Sequence, residues 1–238
     1  MKSLPRAIGA FAGSSIGKKI LVALTGLVLL IFLAGHLAGN LLIYRDPREI
    51  NAYAYELRHL LHGAFIWVFR AGILLCAVVH VYLTIVLRAE NRAARGAPYA
   101  KKETVQATLA SRTMLFSGLV ILSFVVYHLL HFTVRALNPE FQNLHYDLNG
   151  EQVHDVYKMV ILGFQNPLVS AVYIVSIGLL SLHLSHGFAS LFQTLGLRSQ
   201  RTKFVLQAVG LLYAAVIFLG NVSIPVSILA KLGPFAKF

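Results

Sequence analysis

Six of the ten histidines, His36, His80, His128, His131, His183 and His186, fall in or at the edge of long apolar runs. An ionisable side chain is costly inside a bilayer, and by default it marks a functional site. A lone histidine can equally be a neutral side chain bonded to a neighbouring helix. Recurrence on four separate runs points instead to shared chemistry. Zinc and copper sites generally add carboxylates or thiolates, whereas these runs hold no Asp or Glu and a single cysteine, Cys76. One cysteine also excludes a disulfide framework, an iron–sulfur cluster held by this chain alone and a Cys-x-x-Cys-His haem attachment. Imidazole suits iron as well, and a helix-bundle core is a usual place for a cofactor. A haem iron with two axial histidines fits best, because the porphyrin supplies the other four ligands. A methionine ligand is disfavoured, since Met1 and Met159 lie outside the runs and Met114 only begins one.

The elements that must position these residues are long helices. The chain has 238 residues, 57% apolar and only 13% charged, against roughly 45–50% and 25% for a soluble domain. About 20 mostly apolar residues are needed to cross a bilayer. Five stretches qualify: residues 20–44, 64–87, 114–134, 167–192 and 204–230. The first is too long for a signal-peptide core and reads as a retained helix. We expect an all-α fold, one domain over residues 1–238, with five transmembrane helices enclosing two b haems. The net charge of +12 does not indicate nucleic acid, because the bases lie between apolar runs rather than on one face of a soluble fold. Of the 21 Lys and Arg, 13 fall on the side of the N-terminus, among them Lys2, Lys18, Lys19, Arg95, Lys101 and Lys102. Seven of the nine acids fall on the other side, leaving Glu90 and Glu103 with the bases. The positive-inside rule therefore predicts a cytoplasmic N-terminus and an outer C-terminus. A basic inner face suits anionic lipid or an acidic peripheral partner.

Depth pairs the histidines. His36, His80 and His183 each lie 16 residues, roughly 24 Å, into their helices at 1.5 Å per residue, and His128 lies 14 residues in. Helices one and three run outward and two and four inward. His36 and His128 then share a level in the outer half, and His80 and His183 share one in the inner half. By spacing alone His131 and His186, one turn further on, remain alternatives to His128 and His183. Gly26, Gly35, Gly39, Gly118, Gly178 and Gly187 would let a flat macrocycle approach the backbone, or serve ordinary close helix packing. His59, His62, His145 and His154 lie in outer loops and read as solvated. Loop one, residues 46–63, has the pattern of a short interfacial helix, and residues 153–162 in loop three suggest another.

Thr25-Gly26 followed by Gly35-His36, then His80, then Ser117-Gly118 followed by Tyr127-His128, and His183 thirteen residues before Gly196 resemble the dihaem cytochrome b membrane-anchor subunit of succinate dehydrogenase and fumarate reductase. The similar branch has a single five-helix polypeptide, and the resemblance covers essentially the whole chain. It implies that His36 and His128 hold the distal haem iron and His80 and His183 the proximal one. The interval to Gly196 favours His183 over His186. It further implies partners on the cytoplasmic face, a flavoprotein subunit and an iron–sulfur subunit, with electrons passing to menaquinone or another quinone in a bacterial cytoplasmic (inner) membrane. Some relatives carry an acid in the first outer loop that handles quinone protons. Glu56 is the nearest counterpart, with a surface acid balancing Arg58 as the plainer alternative. Certain relatives have a glutamate where this chain has Ser181, which argues against that proton path here.

Two other readings compete. Another respiratory partner, such as fumarate reductase running in reverse, a hydrogenase or a nitrate reductase, would keep the haems. The hydrogenase and nitrate-reductase types often place two histidines on one helix, unlike the one-per-helix pattern here. A haem-free transporter would mark its path with buried charges, and the spans lack acids.

Overall fold

The computed structural model describes residues 4–94 and 109–238. Lys2, Arg95, Lys101, Lys102 and Glu103, counted above toward the basic side, lie outside the described residues. The described chain is mostly helical, with five helices long and apolar enough to cross a membrane. In order, α1 (Leu4–Gly13) precedes the first long helix α2 (Ser15–Asn40), and α3 (Pro47–His59) precedes α4 (Ala64–Ala93). Then follow α5 (Leu109–His128), a β-hairpin of β1 (His145–Leu148) and β2 (Glu151–His154), α6 (Val156–Phe164), α7 (Pro167–Thr194) and α8 (Lys203–Leu229). The apolar side chains of the long helices point outward as well as inward. Leu168 and Phe204 are each 74% exposed and Val68 73%. Surface of that kind on helices of this length is suited to lipid rather than water.

Local sequence sets each boundary. Ser14 caps α2 by accepting from the Gly17 N–H at 3.0 Å. Gly17 is required there, because a Cβ would lie 1.9 Å from the Phe11 carbonyl oxygen. Asp46 caps α3 through the Arg48 N–H, with Pro47 supplying its helical φ in the first turn. Leu61, His62 and Gly63 all have positive φ, and this tight turn reverses the chain from α3 into α4. Asp155 caps α6 and Asn166 caps α7. Gly196, at φ +76°, ends α7 in the left-handed region where glycine costs least.

Four helices form a ring: α2 packs on α4 and α7, α5 packs on α7, and a thin contact joins α4 to α5. Helix α8 lies outside the ring against α7 and α2. The diagonal pairs, α2 with α5 and α4 with α7, are not among the pairs whose backbones pack extensively. At the N-terminal end of the bundle Lys18 on α2 pairs with Glu90 on α4. At the opposite end α3, the hairpin and α6 form a cap. Helix α3 occupies most of loop one, where a short helix is expected. Loop three departs from the expected surface helix, because Val153 and His154 belong to β2 and the helix begins at Val156. Asp155 accounts for the difference: its carboxylate accepts from the Lys158 N–H at 2.9 Å and fixes the helix start.

Candidate functional site

The four histidines read from the sequence occupy the diagonals of the ring, one on each of α2, α4, α5 and α7. His36 on α2 and His128 on α5 face each other with ring centroids 5.8 Å apart and planes at 86°. Two imidazoles bound through nitrogen at about 2 Å on either side of one metal would have centroids on the order of 6 Å apart. His80 on α4 and His183 on α7 lie within electrostatic range of each other on the other diagonal. All four side chains are half-buried.

A hydroxyl-then-glycine pair on a neighbouring helix orients each member of the second pair. The Thr25 hydroxyl donates to the Leu21 carbonyl at 2.7 Å. The His80 Nδ1–H therefore donates to the Val22 carbonyl at 3.1 Å and shares that proton with Thr25 Oγ1 at 3.3 Å. Gly26 leaves room for the ring, since a Cβ would stand 3.2 Å from His80 Cε1. On α5 the Ser117 hydroxyl donates to the Met114 carbonyl and accepts from His183 Nδ1–H at 3.3 Å. A Cβ on Gly118 would stand 3.6 Å from His183 Cε1. Both networks put the proton on Nδ1 and leave the Nε2 lone pair free for a metal, as a second shell does for a ligating histidine. Ser181 Oγ, two residues before His183, is buried without a hydrogen-bond partner among the described residues.

The structure separates His131 from His128. His131 is only 1% exposed, lies against Phe132 at 4.0 Å, and pairs through Nδ1 with the Tyr173 hydroxyl at 2.9 Å. It sits in an aromatic core with Phe141 and Tyr127 rather than opposite another histidine. The same Tyr173 hydroxyl lies 3.4 Å from His128 Nδ1, so one phenol serves both rings. His186 lines an open groove of about 1200 Å³ at the N-terminal end of the bundle, with Lys19, Gln193, Arg198 and Lys203.

No group of three or more His, Cys, Asp or Glu side chains comes together for a metal ion among the described residues. The donor set is two pairs of imidazoles. Such a pair suits an iron that brings four ligands of its own, and does not complete the shell of a bare ion. No family model, curated protein or solved structure matches this chain.

A second feature lies in the cap opposite the N-terminal end. A cavity of about 220 Å³ is lined by Asn51, Tyr55, Arg58, His59, Glu151 and His154, with Gln152 and Val153. Glu56, the acid singled out from the sequence, is exposed on α3 and does not line it. Its neighbour Tyr55 does, donating its hydroxyl to Glu151 at 2.7 Å. That hydrogen bond to a carboxylate raises the phenol above its ordinary range. His154, which read as solvated, is half-buried and packs between Arg135 and Met159. Burial, then Arg135 and Arg58, push its imidazole down to about 4. It is thus neutral at physiological pH and accepts from the Arg135 guanidinium at 3.2 Å. The sequence signal for this cap was weak, because Glu151 and His154 join Tyr55 and Arg58 only through the hairpin register, His145 opposite His154 and Leu148 opposite Glu151.

Proposed function

We propose that this chain is the membrane-anchor cytochrome b subunit of a succinate:quinone oxidoreductase, seated in a bacterial cytoplasmic membrane. In this reading His36 with His128, and His80 with His183, are the axial ligands of two b haems. The observation that carries it is the placement of one histidine on each of four helices, paired across both diagonals of the ring. Bound there, the two haems would supply one-electron centres stacked through the membrane. Thr25 and Ser117 hold His80 and His183 in the tautomer that ligates, and Tyr173 does the same for His128. The basic N-terminal face, with Lys19, Arg198 and Lys203, receives the flavoprotein and iron–sulfur subunits on the cytoplasmic side. The dicarboxylate chemistry belongs to those partners.

At the far end the chain delivers two electrons and two protons to a quinone, menaquinone in the reading favoured here, giving the quinol. The cavity beside Tyr55 and Glu151 admits a ring-sized group, and the Tyr55 hydroxyl and Glu151 carboxyl can pass a proton into it. Glu56, on the exposed side of the same helix, would supply protons from water. Glu151→Gln is expected to slow quinone turnover by one to two orders of magnitude with both haems retained, a loss in the range of one general acid–base group. Glu56→Gln is expected to slow it less. Quinone reductase assays on the purified complex check this, and turnover at the wild-type rate in Glu151→Gln would remove the cavity from the pathway.

The deciding experiment is a dithionite-reduced minus oxidised spectrum of the detergent-purified chain, produced with haem supply assured, with haem extracted and counted. Two b haems per chain are expected. One haem would mean that one pair is misassigned. A colourless protein would overturn the cytochrome reading and restore the transporter.

A further inference from the structure

The cap gathers guanidiniums that form no ion pair among the described residues. Arg58, at the end of α3, is half-buried and lies within electrostatic range of both Arg135 and Arg70. Burial and those two neighbours hold its guanidinium below the usual arginine range. Arg135 follows the widened turn after α5, at φ +62°. Its Nη1 donates to the neutral His154, while its buried Nε has no hydrogen-bond partner among the described residues. The nearby acids Glu151, Asp155 and Glu140 accept from the neutral donors Tyr55, Asn51 with the Lys158 N–H, and Asn138, and none lies within ion-pair distance of a guanidinium. Among the described residues the one ion pair is Lys18 with Glu90, at the other end of the bundle. A buried N–H without a partner and a set of mutually repelling guanidiniums are costly unless an anion joins them.

The cluster lies on the cap side of the outer histidine pair. Arg135 is seven residues beyond His128, just past the widened turn at Leu129–Thr133. Arg70 follows Phe69, whose ring is 5.9 Å from Phe32, and Phe32 stacks on His36 at 5.3 Å. Arg70 itself is exposed over Trp67 and forms the rim. A guanidinium fork matches a carboxylate in two parallel hydrogen bonds, and a b haem carries two carboxylates on one edge of its ring.

We propose that Arg58 and Arg135, with Arg70 at the rim, form the seat for the two propionate carboxylates of the haem held by His36 and His128. This rests on the haem reading given above. The seat fixes which edge of the ring points to the cap, and it keeps carboxylate charge from favouring the oxidised iron.

The test is a redox titration of the purified full chain, wild type and variants, after haem has been counted. Arg135→Gln is expected to lower the midpoint potential of one haem and leave the other unchanged, with Arg135→Lys intermediate. Two haems with both potentials unmoved in Arg135→Gln and Arg58→Gln would overturn the seat and leave the haem reading intact. A wild-type chain without haem would overturn both. If the variants lose haem altogether, the wild-type chain produced without haem decides the matter. It is reconstituted with haem or with haem dimethyl ester, and the ester is expected to fill the outer site at least tenfold more weakly. Equal uptake of both, with phospholipid phosphate bound to wild type and lost from Arg135→Gln, would assign the seat to a lipid headgroup and overturn the proposal.

Discussion

His80→Ala and His183→Ala are each expected to leave one b haem per chain in place of two. The expectation follows from the ring geometry. These two side chains come from helices whose backbones do not pack extensively on each other, and His186, the imidazole one turn from His183, lines the open groove at the N-terminal end. The hydroxyls bonded to these rings, Thr25 Oγ1 and Ser117 Oγ, are both engaged with backbone carbonyls. The outer pair is held separately, by Phe32 against His36 and by Tyr173 at His128, and its spectrum is expected to survive. His131→Ala is the control. It removes a buried ring from the aromatic core, lowers stability, and is expected to leave the haem count at two. Pyridine haemochrome counting with low-temperature reduced spectra separates these outcomes. Two haems in both His80→Ala and His183→Ala would break the pairing.

The membrane-spanning part of this fold is legible because lipid imposes a simple rule, that long apolar runs without acids must be helices. The four histidines are legible for the related reason that polar groups are expensive in those runs. Their choice between one turn and the next was not. His128 and His131 differ by three positions, and only the widened turn at Leu129–Thr133, with Tyr173 arriving from α7, decides which ring faces His36 and which enters the core. Thr25-Gly26 and Ser117-Gly118 were visible as motifs, but their partners, His80 and His183, are 55 and 66 residues away. The cap was the least legible region. Its acids and bases are ordinary surface residues in sequence. The hairpin brings Glu151 to Tyr55, residues 96 apart, and Arg135 reaches His154 in its second strand. Hydropathy carries no record of such contacts.

The residue that holds this cap together is Asn51, and its removal is expected to have the largest effect on stability. Its side chain is 1% exposed. Its oxygen accepts from the Val156 and Tyr157 N–H groups at 2.7 and 3.2 Å, and its nitrogen donates to the Asp155 carboxylate at 3.1 Å. One amide thus binds α3 to the start of α6, where the first-turn N–H groups have no intrahelical acceptor. Asn51→Leu preserves the volume and orphans one buried and one half-buried N–H donor and one carboxylate contact. At about 1–3 kcal/mol for each buried group left unsatisfied, the cost is on the order of 3–5 kcal/mol, a large part of what a typical domain has. The change is expected to loosen the cap and spare the transmembrane ring. Segment 135–166 should then become open to protease and to fast amide exchange, while the inner haem spectrum stays as in wild type. Asn51→Asp offers a check on the cause. An ionised carboxylate there would face Asp155, whereas a protonated one would both donate and accept as the amide does. Its folded-state pKa is therefore raised above the ordinary value of roughly 4. The cap should be firm below that ordinary value and weaken as pH rises through the raised one. A protease pattern identical to wild type in Asn51→Leu, at any pH, would show that the cap is held by its apolar contacts instead.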